Sequence, residues 1–168
     1  MYRRLAENGM RVVAASAVLA VGAMMATPMV ASAQSNPIPR AHIYPDVGVA
    51  KTDIQAALAK ARREHKRVIL DFGGDWCPDC QVLNIYFHQS PNAELLEKNF
   101  VLVDVNIGHE DANLDVAKNY GVPMPHGVPA LVVVGGNGKV LYSQNKEFSD
   151  MRHMEAQSVT DFLNKWKP

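Results

Sequence analysis

Trp76-Cys77-Pro78-Asp79-Cys80 follows the run Arg67-Val68-Ile69-Leu70-Asp71-Phe72, and this junction decides how the chain is read. The first run is continuous and apolar except for Asp71, as in a buried strand. Beyond Cys77 the chain reads as a helix carrying Val82, Leu83, Ile85 and Tyr86. The junction holds both cysteines of the chain, with two residues between them. A bridge across so small a ring cannot staple distant parts of a fold, because a disulfide stabilises by closing long loops. It can instead open and close without unfolding anything. Cys77 falls at the helix N-terminus, where backbone N–H groups and the macrodipole favour a thiolate. The thiolate is the form that attacks disulfides. The pair therefore points to redox chemistry. Half of a zinc site and an inert thiol pair are the competing uses. Zinc takes about four ligands, and His42, His65, His88, His109, His126 and His153 are scattered without ligand-like spacing.

Upstream, residues 1–33 read as an export signal. Arg3, Arg4 and Arg11 make a basic start, residues 12–26 are apolar, and Ala31-Ser32-Ala33 supplies the small residues of a cleavage site before Gln34. The alternative is an uncleaved anchor, since the run is about long enough to span a bilayer. Cleavage leaves residues 34–168, enough for one domain with one core. The whole chain has a formal charge of +0; loss of three arginines and Glu7 brings the remainder to −2. Nothing in that balance suggests nucleic acid or an anionic membrane as partner. In an oxidising compartment a single closely spaced pair suits an exchanger better than a scaffold.

Residues 34–49 contain three prolines and read as a mobile or loosely packed lead-in, with a short strand near Ile43. Thr52-Asp53-Ile54-Gln55 is a capping-box sequence that opens a helix to about Glu64. Ser90-Pro91 caps a second short helix containing Leu95 and Leu96. A strand follows over 100–107, then a helix over 111–120. Strands over 130–134 and 139–143 are joined as a hairpin by Gly135-Gly136-Asn137-Gly138. Ser158 caps a last helix with Val159, Phe162, Leu163 and Trp166 on one face. This order implies an α/β fold, a mixed sheet covered by helices on both faces.

Asp71-Phe72, then Trp76-Cys77-Pro78-Asp79-Cys80, then Gly127-Val128-Pro129-Ala130 stand in an order and spacing that resemble the thioredoxin superfamily over residues 50–168. The stretch 82–100, with Ser90-Pro91 and Glu97-Lys98-Asn99-Phe100, resembles its periplasmic reductase branch, which includes the C-terminal domain of a membrane electron-relay protein. The resemblance implies a thioredoxin-like fold and a cycle in which Cys77 attacks and Cys80 resolves, with no cofactor and no metal. It implies that Asp71 is a buried carboxylate of raised pKa, able to take the Cys80 proton. It implies a cis bond before Pro129 that turns the backbone of Val128 toward a bound substrate. Trp76 would form part of the docking surface. The plainer readings are a solvated strand-end Asp71, a trans Pro129 and a Trp76 that only packs; His126, near Pro129 in sequence, reads as a solvent-facing loop histidine, with tuning of the thiols as the alternative.

Asp79 places a carboxylate between the cysteines, which opposes thiolate formation at Cys77 and favours a reducing couple. The expected activity is reduction of protein disulfides in the periplasm or outside the cell, with a membrane electron-relay reductase as donor and no membrane attachment after cleavage. The alternatives are an oxidase or isomerase of secreted proteins, and a redox sensor or binding module without turnover.

Overall fold

The computed structural model describes residues 40–122, 127–144 and 146–168. The expected export signal, the first part of the lead-in and His126 lie outside the described residues. Along the chain run α1 (Ala50–Glu64), β1 (Arg67–Gly73), α2 (Pro78–Phe87), α3 (Asn92–Asn99), β2 (Phe100–Asn106), α4 (Leu114–Asn119), β3 (Ala130–Val134), β4 (Val140–Ser143) and α5 (Ala156–Trp166). Single 3-10 turns precede α1 (Val47–Val49) and α5 (Met151–His153).

Among the described residues the strands form one mixed sheet in the order β2-β1-β3-β4. β1 and β2 are parallel, and α2 and α3 supply the crossover that a parallel pair requires. β3 runs antiparallel to both β1 and β4. Because successive side chains of a strand point to opposite faces, the apolar runs divide into two cores. Val68, Leu70 and Phe72 of β1 join Ile54, Ala57 and Ala61 of α1 and Val116 of α4 on one face. Ile69, with Leu131 and Val133 of β3, joins Leu83 of α2, Leu96 of α3 and Phe162 and Leu163 of α5 on the other. Alternation puts Asp71 on this second face, beneath α2.

Several helix ends differ from the sequence reading. α1 starts at Ala50, directly out of the preceding 3-10 turn, and the capping box at Thr52 is not its start. Ile43 forms no strand, because its N–H and that of Tyr44 are spent on the Asp75 carboxylate at 2.8 and 3.0 Å. The described part of the lead-in is packed rather than loose: Tyr44 is 1% exposed. α3 begins at Asn92 with Pro91 as N-cap, and Ser90 Oγ donates to Glu94 instead of accepting from the backbone. α4 is shortened to six residues because Gly108, Glu110 and Asn113 all take positive φ, which ends helical continuity ahead of it. α5 opens two residues before Ser158, with Glu155 as N-cap.

Leu163 is fully buried against the sheet, whereas Leu114 at the start of α4 is 40% exposed. Leu163→Ala should cost about 2–5 kcal/mol of stability, and Leu114→Ala less than about 0.5 kcal/mol. Urea unfolding followed by circular dichroism checks both. Equal losses would contradict this placement of α5.

Candidate redox site

Cys77 is the N-cap of α2, with φ −83° and ψ 114°, so the chain turns from extended to helical at its Cα. Pro78 begins the helix, where its missing N–H leaves no hydrogen bond unmade. The Cys80 N–H donates to Cys77 Sγ at 3.1 Å. A backbone donor held there stabilises negative charge on that sulfur once the bridge is reduced. The two cysteines are joined as a disulfide, with Cα atoms 5.3 Å apart. Cys77 retains 3% exposure and Cys80 none.

The loop before β3 closes over the pair. Cys77 Sγ lies 3.6 Å from the Val128 carbonyl oxygen, and the Val128–Pro129 bond is cis. Buried Gln144 fixes this entrance to β3, donating to the Pro129 carbonyl and accepting the Leu131 N–H, both at 2.9 Å. Trp76 is half-buried; its indole N–H donates to the Gly108 carbonyl and its ring stacks on His109 at 5.6 Å between centroids. Cys77, Cys80, Trp76, Val128 and Pro129 thus gather at one place on the fold.

Asp71 lies behind them and is 1% exposed, not a solvated strand end. The Tyr44 hydroxyl donates to its Oδ2 at 2.9 Å, while its Oδ1 has no hydrogen-bond partner among the described residues. Burial, reinforced by the charge of Asp104, pushes the Asp71 carboxyl well above the usual range, against the lowering effect of the Tyr44 bond. Burial likewise pushes Asp104 up to about 6, with His88 opposing and Asp75 adding to the shift. Tyr44 reaches this site through Gly73. A Cβ on Gly73 would strike the Tyr44 hydroxyl and come within 2.8 Å of Cys80 Sγ, so only glycine leaves room for both. Asp75 anchors the segment that carries Tyr44. Against the cost of its partial burial, the N–H groups of Tyr44 and Ile43 and the His42 ring hold the Asp75 carboxyl below its usual range.

Asp79 does not stand as a lone carboxylate between the cysteines. It is 7% exposed and receives the Arg152 backbone N–H at 2.9 Å and Arg152 Nε at 3.1 and 3.2 Å. The guanidinium offsets its charge, which corrects the expectation that Asp79 by itself disfavours a thiolate at Cys77.

Sequence reasoning missed Tyr44, Asp104 and Arg152. A second aspartate inside the apolar strand 100–107 was a visible hint of Asp104, as Asp71 was in its own strand. Tyr44 had only the weak mark of an aromatic within a proline-rich segment. Arg152 is separated from Asp79 by 73 residues and had no local mark.

A thioredoxin-like family model matches residues 49–136, and the chain belongs to that family. The crystal structure of a disulphide isomerase from Xylella fastidiosa Temecula1 superposes with a TM-score of 0.71 at 36% identity, covering 74% of this chain and 96% of that one. Thioredoxin H4 of Arabidopsis thaliana is 29% identical over 105 residues, 61% of this chain and 82% of its own. The thiol:disulfide interchange protein DsbD of Pseudomonas fluorescens is 28% identical over 94 residues, 55% of this chain but only 15% of that longer protein. Fold, family and the Cys77–Cys80 bridge together make this chain a thiol-disulfide oxidoreductase.

A carboxyl whose pKa is raised by folding makes the folded state take up protons, so stability falls as pH rises from the ordinary value near 3.9 toward the raised one. Asp71 and Asp104 both act in this direction. The oxidised protein should therefore melt higher at about pH 5 than at about pH 7.5. Asp71→Asn should shrink that difference and raise stability at the higher pH by about 1–3 kcal/mol. Thermal unfolding of both proteins at the two pH values checks this, and an unchanged difference would show a solvated Asp71.

Proposed function

We propose that this member of the thioredoxin-like family is an exported reductase of protein disulfides. The observation that carries the reading is the line of groups behind the bridge: Cys77 at the helix start, Cys80 fully buried, and Asp71 beneath it with a raised pKa. In the reduced protein the Cys77 thiolate, supported by the Cys80 N–H and the start of α2, attacks one sulfur of a substrate disulfide. A mixed disulfide forms and the other substrate sulfur leaves with the electron pair. Cys80 then attacks Cys77, its proton passing to the Asp71 carboxylate. The Cys77–Cys80 bond closes, the second substrate sulfur is released, and the substrate has gained two electrons. Val128 and Pro129, against Cys77, offer backbone to an extended substrate segment, and Trp76 borders the same surface.

Returning the bridge to the dithiol needs a two-electron donor. Likeness to part of DsbD, whose name describes thiol:disulfide interchange, supports a thiol-disulfide donor, and the resemblance of residues 82–100 to a domain of a membrane electron-relay protein supports one at the membrane. The basic and apolar pattern of residues 1–33 supports export to the periplasm or beyond. A second reading has its own support: the 36% identical structure is described as a disulphide isomerase. With Asp79 paired to Arg152, the reducing direction rests on the buried Asp71 and the DsbD likeness rather than on a free charge at Asp79.

Insulin reduction with dithiothreitol should be accelerated by the protein and not by Cys77→Ser. Cys80→Ser should accumulate a mixed disulfide, since the attacking sulfur remains and the resolving one is gone. Loss of activity in both variants without any trapped species would reverse the assigned order or remove it.

The reduction potential separates the two readings. A reductase should lie nearer to about −270 mV than to about −120 mV, and a value more positive than about −180 mV would support the isomerase. Arg152→Ala uncovers the Asp79 charge and should make the couple more negative by about 10–30 mV, whereas Asp79→Asn should move it the other way. Equilibration against glutathione or dithiothreitol measures all three proteins.

A further inference from the structure

On the reading above, each resolution step deposits one proton on Asp71, and that proton has no evident front exit. Asp71 is 1% exposed beneath the Tyr44 hydroxyl, which meets Cys80 Sγ at Gly73, and the substrate docks beyond them. The sheet offers a way out to the side. Asp104 stands in register with Asp71 on the adjacent parallel strand, so both side chains leave the sheet on the same face, opposite to Leu70 and Val103. β2 is an edge strand, and Asp104 is half-buried where Asp71 is closed off. Asp104 also lines an open cleft of about 480 Å³ along that edge, together with Asp53 and Lys60 of α1 and Ile43 and Pro45 of the lead-in. Of the two Asp71 oxygens, Oδ2 is taken by the Tyr44 hydroxyl and Oδ1 has no partner among the described residues. Oδ1 is therefore available to pass a proton.

We propose that Asp104, acting through Asp71, relays the resolution proton to solvent in the cleft beside β2. In this step the Cys80 S–H bond breaks, its electron pair forms the bond to Cys77 Sγ, and the Cys77–substrate bond breaks with its pair leaving on the substrate sulfur. The proton moves from Cys80 to Asp71, then to Asp104 and into the cleft. It returns by the same route when the bridge is reduced. No other oxidant or reductant enters the transfer.

The groups around Asp104 suit this task. Asp71 and the Tyr44 hydroxyl face it from β1 and the lead-in, Asp75 from the loop after β1, His88 from the end of α2, and Asp53 and Lys60 from α1. Burial and Asp75 hold the carboxyl up while His88 draws it down, leaving it near about 6. A carboxyl placed there is ionised at neutral pH yet protonated at little cost, as a relay requires.

The test uses the reduced full-length chain and an aromatic disulfide, dithiobis-nitrobenzoate, in stopped flow. The first release of the coloured thiol reports attack by Cys77, and the second reports resolution by Cys80. Asp104→Asn should slow the second release about five- to tenfold at neutral pH and remove its inflection near about 6. The first release should stay within about twofold. Asp104→Glu should restore the second step, and formate, small enough to enter the cleft, should accelerate it in Asp104→Ala. A merely structural role would not respond to formate. An unchanged second step in Asp104→Asn, or equal slowing of both steps, overturns the relay. Asp71→Asn separates this from the reading beneath it. If that variant resolves at the normal rate, the base role of Asp71 falls. If it is slow while Asp104→Asn is normal, only the relay falls.

Discussion

A carboxyl buried under a disulfide is the constraint on which this arrangement depends. Asp71 sits in a strand whose neighbours on both sides are fully buried and apolar, so its charge is disfavoured and one oxygen lacks a partner. Among the described residues the fold reduces that cost with one buried donor, the Tyr44 hydroxyl. That donor requires a residue without a side chain at position 73, because the hydroxyl occupies the space a Cβ would take. It also requires the lead-in to be fastened. Asp75 holds the backbone at Ile43 and Tyr44, and buried Gln81 exchanges two hydrogen bonds with Ala41. Asn106 adds a bond to the Pro45 carbonyl at 2.7 Å. The described stretch 40–46, with no regular secondary structure, is thus held by side chains from β1's loop, α2 and β2 on either side of Tyr44.

A second compensation acts on the other side of the pair. Asp79 lies in the first turn of α2, where the macrodipole favours a negative group and Cys77 must also carry one. Two anions there would compete for the same positive end. Arg152, from the 3-10 turn before α5, relieves the competition with both its backbone N–H and its guanidinium. The Arg152 side chain is half exposed, so the pair is weaker than a fully buried one. The two aspartates nearest the bridge therefore play unlike parts. One is left short of partners and its carboxyl is pushed up by burial; the other is supplied with a cation that offsets its charge.

What could be read from the sequence follows from how far each interaction reaches. The buried strand, the helix opening at Cys77 and the hairpin at Gly135–Gly138 are local patterns of period and turn chemistry, and all three appear where expected. The carboxylate beneath Cys80 was legible because a lone Asp71 interrupts an apolar run. Helix starts were legible only in part. Thr52, Ser90 and Ser158 each looked like a cap, yet the chain entered each helix earlier or spent the hydroxyl elsewhere. A capping pattern states what a residue can do, and the incoming backbone decides whether it does so. The described part of the lead-in, from Arg40, was misjudged for a related reason. Composition alone suggested looseness, but its order comes from Asp75 and Gln81, more than thirty residues downstream.

The poise of the site belongs to the illegible class, and the physics explains why. Thiolate stability at Cys77 depends on its own helix start, which is local, and on the net charge around Asp79, which is settled by a residue 73 positions away. Proton affinity at Asp71 depends first on its burial, then on Asp104 and Tyr44, separated from it by 33 and 27 residues and joined to it only by folding. Local sequence can therefore name the reacting sulfurs while leaving their direction of electron flow open. The same Cys-Pro-Asp-Cys on this sheet, without Arg152, would meet an uncompensated carboxylate; without Tyr44, it would rest on a carboxyl with no donor among the described residues. Direction in such a site is a property of the second ring of contacts, and here that ring is drawn from the lead-in, the edge strand and the turn before the last helix.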